Sequence, residues 1–337
     1  MTRLQELELQ AGQLPEAERA ALVTRLLATL PPVLADIDGG VAEARRRDAE
    51  LDANPSAALS DQQFRAAIAA SRNFKATNEF PFRGAALSYP AAGRGGLTLV
   101  LAEVPISAFN LASSSDNKTY NSDFSIVALI RDPSRQVVQK LSQHYSLNGP
   151  IENLAAAKKG DVLFYRETQL PPGKYVVELI AYDATTRKVN VSPSSLEISG
   201  ADDSRPRLSS VAVLKRAERL SAEEQKRDQP LQFGELLVYP NLGERIDRST
   251  KQLAFFFTAW AAKGATKPMQ VTLEILQNKR QVGQTSAELP PADAQGQIKY
   301  ASAFPLDKFQ PGVFELKVTI SDGKNNVSRS TQFTLGS

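Results

Sequence analysis

The chain has 337 residues, which at roughly 100 to 200 residues per domain predicts two or three domains. Hydrophobic residues make up 42% and charged residues 23%, so the composition excludes a chain that is disordered, collagen-like or coiled-coil throughout. A net charge of +3, no cysteine and one histidine argue against nucleic-acid binding, disulfides, thiolate chemistry and most histidine-based catalysis. We therefore expect a protein that is not an enzyme and that holds no metal and no cofactor.

The first 72 residues differ in composition from the rest of the chain. They contain 8 arginines, no lysine, 11 acidic residues and 16 alanines, and their apolar residues recur at helical spacing. Pro31 and Pro55 interrupt the helical pattern, and Ser60 with Gln63 forms a capping box that begins a last helix. The sequence predicts a small α-helical head over residues 1–72.

No export signal and no membrane span are predicted from the sequence. Acidic residues from Glu6 onward leave no continuous apolar segment at the N-terminus, which is not typical of a secretory signal. The longest apolar run, 253–262, is too short to cross a bilayer and predicts a buried strand. We expect the protein in the cytoplasm.

From residue 73 onward the pattern is strand-like, and it contains an internal repeat. A Pro-Gly pair at 172–173 and another at 311–312 each begin a segment of alternating apolar residues that ends at an aspartate, 139 residues apart. The segments 124–138 and 269–283 also align, 145 residues apart. Equivalent strands in two repeats should have the same buried face, so Tyr175 and Phe314 are both expected to be buried.

The repeat predicts a mainly β fold with two tandem immunoglobulin-like β-sandwiches behind the small N-terminal α-helical head. The first sandwich is expected over residues 73–200 and the second over 207–337, joined by a polar linker at 200–206. Each sandwich is expected to unfold on its own. The polar segment 215–230 is predicted to be a loop or a loosely held helix.

Few residues suggest chemistry. His144 is the only candidate base for a serine-histidine-acid triad, and its place on a strand favours a structural role. The oxygen-rich segment 113–123 lacks the spacing of a calcium loop and is predicted to be a polar connection between strands. The adjacent acids at 202–203 and 223–224 are interpreted as surface charge. Trp260 ends an apolar strand and is predicted to pack in a core rather than to recognise a ligand.

The segments LPEAERAALVTRLLATL and RRRDAELDANPSAALS resemble addiction-module components, antitoxin-like proteins encoded beside a RelE/ParE-type toxin. The resemblance covers about residues 1–70. It implies that the helices bind a small basic toxin. The alternative is that the same leucines pack within a helical hairpin or against the neighbouring sandwich. The apolar contacts would come from Leu22, Leu26, Leu27 and Leu30, and the acidic contacts from Glu18, Glu43 and Glu50.

The remainder, about residues 64–337, resembles the C-terminal region of bacterial von Willebrand factor A-related proteins. The resemblance rests on FRAAIAASRNF, FPFRGAALSYP, LPPGKYVVELIAYDATTRKVNV and FQPGVFELKVTISDGKNN. Members of that family usually carry a metal-binding A domain with a D-x-S-x-S motif, which this sequence does not contain. They are also commonly exported, in contrast to the location expected from this N-terminus.

These features predict a non-enzymatic binding or assembly protein built on tandem β-sandwich modules. The alternative is an antitoxin-like component of a toxin-antitoxin module, in which the N-terminal helices bind a RelE/ParE-type toxin. In either case the expected partner is a protein that the sequence does not identify, and neither a nucleic-acid partner nor a membrane span is expected.

Overall fold

A computed structural model describes residues 80–90, 96–200, 202–226, 229–265 and 267–336. The predicted helical head at residues 1–72, with all seven residues proposed to contact a toxin, lies outside this range. In the described part of the chain, no helix has both the length and the apolar character needed to cross a bilayer.

The first eight strands form two sheets. A three-stranded sheet has the order β1-β2-β6, and a second sheet has the order β3-β4-β7-β8 with β5 paired to β4. A short helix, α1 (Leu154–Ala157), connects β5 to β6. The strands are β1 (Arg83–Tyr89), β2 (Gly96–Pro105), β3 (Ala112–Ser113), β4 (Thr119–Arg131), β5 (Val137–Pro150), β6 (Asp161–Leu170), β7 (Gly173–Asp183) and β8 (Val189–Ile198).

The next ten strands form two further sheets. One has the order β11-β12-β10-β13-β16 with β9 paired to β13, and the other has the order β15-β14-β17-β18. The strands are β9 (Arg207–Leu208), β10 (Ala212–Arg219), β11 (Gln232–Phe233), β12 (Leu236–Pro240), β13 (Gln252–Trp260), β14 (Gln270–Gln277), β15 (Arg280–Glu288), β16 (Gln297–Pro305), β17 (Gly312–Ser321) and β18 (Asn326–Leu335).

The two pairs of sheets have corresponding strands at corresponding positions, as the repeat predicts. β7 lies between β4 and β8, and β17 lies between β14 and β18. The register is also shared, because Ile126 pairs with Ala181 in the first sandwich and Val271 pairs with Ile320 in the second. The cross-strand pair of the second sandwich is therefore equivalent to that of the first, with its β14 member 145 positions and its β17 member 139 positions later in the sequence.

Each sandwich has its own apolar core, formed by alternate residues of the facing strands. Leu179 and Val318, equivalent residues of β7 and β17, are both completely buried. Gly84 allows β1 to approach Leu179 closely, since a Cβ at this position would lie only 2.0 Å from Cδ1 of that leucine. Any larger residue at position 84 would displace the core of the first sandwich.

Three predictions need correction. Tyr175 is half-buried rather than buried, because its hydroxyl donates a hydrogen bond to the carbonyl of Pro171 at the strand end, whereas Phe314 is 2% exposed. The segment 113–123 is not one loop, since from Thr119 onward it belongs to β4. Residues 215–219 are not loop or helix but part of β10, held by pairing with β12.

Candidate functional site

The two sandwiches meet through a buried apolar cluster, which we call the joint. The outward residues of β2, Leu99 and Leu101, are 0% and 2% exposed although they point away from their own core. They pack in one cluster with Val238, Phe256 and Trp260 of the second sandwich. Because so much apolar surface is removed from water, the joint holds the two sandwiches together.

Trp260 is buried in the joint rather than in the core of its own sandwich. Its side chain is 9% exposed, and the guanidinium of Arg207 lies 5.9 Å from its ring centroid. Arg207 follows the polar linker directly and pairs with Trp260 through β9 and β13. The strand that begins the second sandwich is therefore anchored at the joint itself.

A cleft of about 560 Å³ opens at one edge of the joint. Its floor is apolar and includes Leu101 of the first sandwich and Leu237 and Val238 of the second. One wall is formed by Leu163 and Tyr165 of β6, and Leu163 is 45% exposed. The volume lies within the roughly 300 to 1,000 Å³ of small-molecule sites, which often form between domains.

An ion-pair network joins the two sandwiches beside this cleft. The ammonium of Lys215 lies 2.6 Å from Oε1 of Glu103 and 2.8 Å from Oε2 of Glu244. Arg83 approaches the same oxygen of Glu244 at 3.8 Å. Since Arg83 and Glu103 belong to the first sandwich and the other two to the second, the network fixes their relative position at the cleft.

The network also shifts the pKa values of two of its members. Desolvation lowers the pKa of Lys215, but hydrogen bonds and charge from Glu103 and Glu244 outweigh it and leave the pKa raised. The hydrogen bond from Lys215 holds the pKa of Glu244 below its ordinary value, assisted by the charges of Lys215 and Arg83 and opposed by desolvation. Both residues are therefore charged at neutral pH, and their ion pair stabilises the contact between the sandwiches beside the cleft.

The opposite wall presents a stacked cation and aromatic ring. The guanidinium of Arg216 lies 4.3 Å from the ring centroid of Tyr239, and both residues line the cleft. The hydroxyl of Tyr239 donates to Oε2 of Glu218 at 2.8 Å. Desolvation, assisted by Glu218, raises the pKa of Tyr239. This wall can stack against a flat group and also offers polar atoms at its rim.

His144, the only candidate base that the sequence offers, lies beside a serine and an aspartate but not in a triad arrangement. Oγ of Ser125 lies 3.3 Å from Nδ1 of His144, and Oδ1 of Asp123 lies 3.6 Å from the same nitrogen. A catalytic triad needs the serine and the acid on opposite nitrogens of the ring. Ser125 is also only 1% exposed, so this cluster does not have the geometry of an accessible nucleophile and base.

The candidate acidic sites are occupied by local contacts. Asp116 accepts hydrogen bonds from Ser114 Oγ and from the Lys118 amide within its turn. Asp203 lies 3.1 Å from Arg207, and Glu224 accepts from Ser221. Within the described ranges, no group of three or more His, Cys, Asp or Glu side chains is arranged to hold a metal ion.

The cleft is not among the features predicted above, although the sequence contains a signal for it. The segment of β2, GLTLVLAEVP, is apolar at consecutive positions rather than alternate ones, and so is FFF at 255–257 in β13. A strand that is apolar on both faces is buried on both faces. Both strands lie in sheets that face their own core on one side and the joint on the other.

No family model matches the sequence, and no curated protein matches it. Among solved structures, the chain is similar to a DUF3823 family protein from Bacteroides ovatus at 9% identity and a TM-score of 0.25, over 76% of this chain and 100% of that one. It is also similar to a β-glucuronidase from Parabacteroides merdae at 9% identity and a TM-score of 0.23, over 72% of this chain and 28% of the enzyme. Neither similarity is strong enough to support an argument about this chain.

Proposed function

We propose that the chain is a non-enzymatic binding protein whose β-sandwich modules hold a ligand in the cleft at the joint. The observation that carries the proposal is the cleft itself, about 560 Å³ with an apolar floor, walled by both sandwiches. Isolated apolar residues on a protein surface are common, but a concave apolar surface at a domain boundary is typical of a binding site.

The lining favours a ligand with a flat apolar body and a polar edge. The body would lie on the floor at Leu237, between Leu163 and the stacked pair of Arg216 and Tyr239. Binding fits this lining better than catalysis does. The ammonium of Lys215 is paired with two carboxylates. It therefore stabilises the walls of the cleft and is not placed to act as a proton donor or nucleophile.

The proposal can be tested on the full chain with 8-anilinonaphthalene-1-sulfonate, a dye that has a flat apolar body and a charged edge and fluoresces when bound. Leu163→Glu places a charge in the cleft wall at a half-exposed position, so the chain should still fold. Val176→Glu is the matched control, since both side chains are 45% exposed in the wild type. Leu163→Glu should raise the dissociation constant at one dye site about tenfold or more, because a carboxylate resists burial against an apolar ligand.

Equal dye titrations for wild type, Leu163→Glu and Val176→Glu would contradict the proposal. The single tryptophan provides a second readout, because Trp260 packs in the same cluster as the cleft floor. Energy transfer from Trp260 to the bound dye should decrease in Leu163→Glu and persist in Val176→Glu.

The antitoxin-like alternative rests on the resemblance of residues 1–70 and stays a prediction. Its test is a pull-down of a RelE/ParE-type toxin by the full chain, in which Leu26→Asp combined with Leu27→Asp should abolish capture. Leu163→Glu should leave that capture unchanged, so the two functions can be separated.

A further inference from the structure

A groove of about 590 Å³ opens on the second sandwich, between the edges of its two sheets, where β15 and β16 separate. Its floor is aromatic. The ring of Phe309 meets Phe304 at a centroid distance of 6.2 Å and Phe314 at 5.4 Å, edge to face in both cases. Phe304 and Phe309 are only half-buried, so an apolar surface within a concave site remains open to solvent.

The groove exists because β15 carries small side chains where it faces the core. Gly283 is paired with Ile275, Thr285 with Leu273, and the next inward residue is an alanine. Thr285 is exposed although it points towards the core. At Gly283 a Cβ would meet Phe309 only at 3.7 Å, an ordinary contact distance. No side chain of β15 therefore extends far enough to cover the phenylalanines.

The polar part of the groove has one sign of charge. Lys308 is the only charged residue in its lining, and it forms no ion pair with any residue in the described ranges. The side-chain amides of Gln277, Gln284 and Gln310 also line the groove and can donate hydrogen bonds. An ammonium with neighbouring amide donors complements a carboxylate.

From the aromatic floor and the ammonium of Lys308 we propose that this groove binds a carboxylate amphiphile, a molecule with an unbranched apolar chain and one carboxylate head. The apolar part of this ligand lies on Phe304 and Phe309, and its carboxylate is bound by Lys308. The site is distinct from the cleft at the joint, since the two linings share no residue. The inference does not depend on the proposed function of that cleft.

The test is calorimetric titration of the full chain with decanoate, and in parallel with the uncharged decanol. Wild type should bind one decanoate in the groove. Lys308→Gln should raise the dissociation constant for decanoate about tenfold, since it removes a charge-assisted bond, and should leave decanol binding unchanged. Lys324→Gln, an exposed lysine elsewhere in the second sandwich, is the control and should have no effect.

A second pair of variants tests the location. Thr285→Trp fills the groove from β15, whereas Ser286→Trp places the same side chain on the opposite face of the same strand, and both positions are exposed. Thr285→Trp should abolish binding of both probes, and Ser286→Trp should not. The proposal is overturned if wild type binds no decanoate, if the two tryptophan variants behave alike, or if Leu163→Glu at the cleft is the variant that removes decanoate binding.

Discussion

The two sandwiches repeat one strand arrangement but differ at one edge, where the first is closed and the second is open. In the first, Gln139 Nε2 on β5 donates to Thr168 Oγ1 on β6 at 3.0 Å, and Leu141 is 5% exposed. At the equivalent positions of the second sandwich stand Gly283 and Thr285. The first pair of sheets is thus linked across this edge through Gln139 and covered by Leu141, whereas Gly283 and Thr285 leave the corresponding edge of the second open.

The equivalence of these positions follows from the strand pairing. Ile130 pairs with Gln139 as Ile275 pairs with Gly283, and the β4 and β14 members are 145 residues apart. On the returning strand Gly283 therefore corresponds to Gln139, and not to Val138 as the sequence alignment predicts. These two positions therefore differ between the sandwiches, while the strand pairing around them is retained.

The largest expected effect comes from equivalent core residues. Leu179→Asp should unfold the first sandwich and Val318→Asp the second, since each buries an unpaired carboxylate at a completely buried position, at a cost of several kcal/mol. The polar linker at 200–206 predicts that the other sandwich remains folded. Because the joint is shared, we instead expect the surviving sandwich to melt at a lower temperature than in the wild type.

Differential scanning calorimetry measures both effects. Each variant should lose one transition and shift the other downwards. A surviving transition at the wild-type temperature would show that the joint contributes no stability, and loss of both transitions would show that the sandwiches form one cooperative unit.

Two adjacent phenylalanines of β13 distinguish the contribution of the joint to stability from that of the core. Phe255 points into the core of the second sandwich and Phe256 into the joint, and both are 0% exposed. Replacing either with alanine should cost about 3 to 5 kcal/mol. Phe255→Ala should destabilise mainly the second sandwich, whereas Phe256→Ala should also weaken its coupling to the first. Equal calorimetric profiles for the two variants would contradict this assignment.

One substitution in each sandwich exchanges the residues at the closed edge of the first and the open edge of the second. Leu141→Thr should destabilise the first sandwich by about 2 kcal/mol, because it removes buried apolar atoms and introduces a hydroxyl. Thr285→Leu should stabilise the second by up to about 1 kcal/mol, because the added atoms cover the phenylalanine floor. Urea denaturation monitored by circular dichroism measures both changes. If Thr285→Leu destabilises the chain, the two positions are not equivalent in packing.

The sequence predicts the repeat well because the alternation of apolar and polar residues indicates which face of a strand is buried. It correctly places Leu179 and Val318 at equivalent, buried positions, and it places an aspartate at the turn after each strand: Asp183 accepts from Thr185 and Asp322 from Lys324. The cleft and the groove are not predicted, because each depends on which sheet edges and faces come together. A threonine at 285 is compatible with either a covered or an open edge, and only the packing of β16 distinguishes them.

The smallest expected effect concerns the ion pairs at the joint and depends on pH. Glu244 has a lowered pKa in the folded chain, so its contribution is present above the unfolded value of about 4.3 and is lost as pH falls through the lower, folded value. Lys215 has a raised pKa, so its contribution is present below the unfolded value of about 10.4 and is lost as pH rises through the folded value. The network should therefore stabilise the joint most between these two limits. Both groups remain partly exposed, so the contribution should not exceed about 1 kcal/mol.

Melting temperatures of wild type and Lys215→Gln should differ most near neutral pH and converge in acid and in strong base. Lys188→Gln, which replaces an exposed lysine of the first sandwich, is the control and should follow the wild type throughout. A constant difference between wild type and Lys215→Gln at every pH would mean that Lys215 acts through packing of its aliphatic chain and not through its charge.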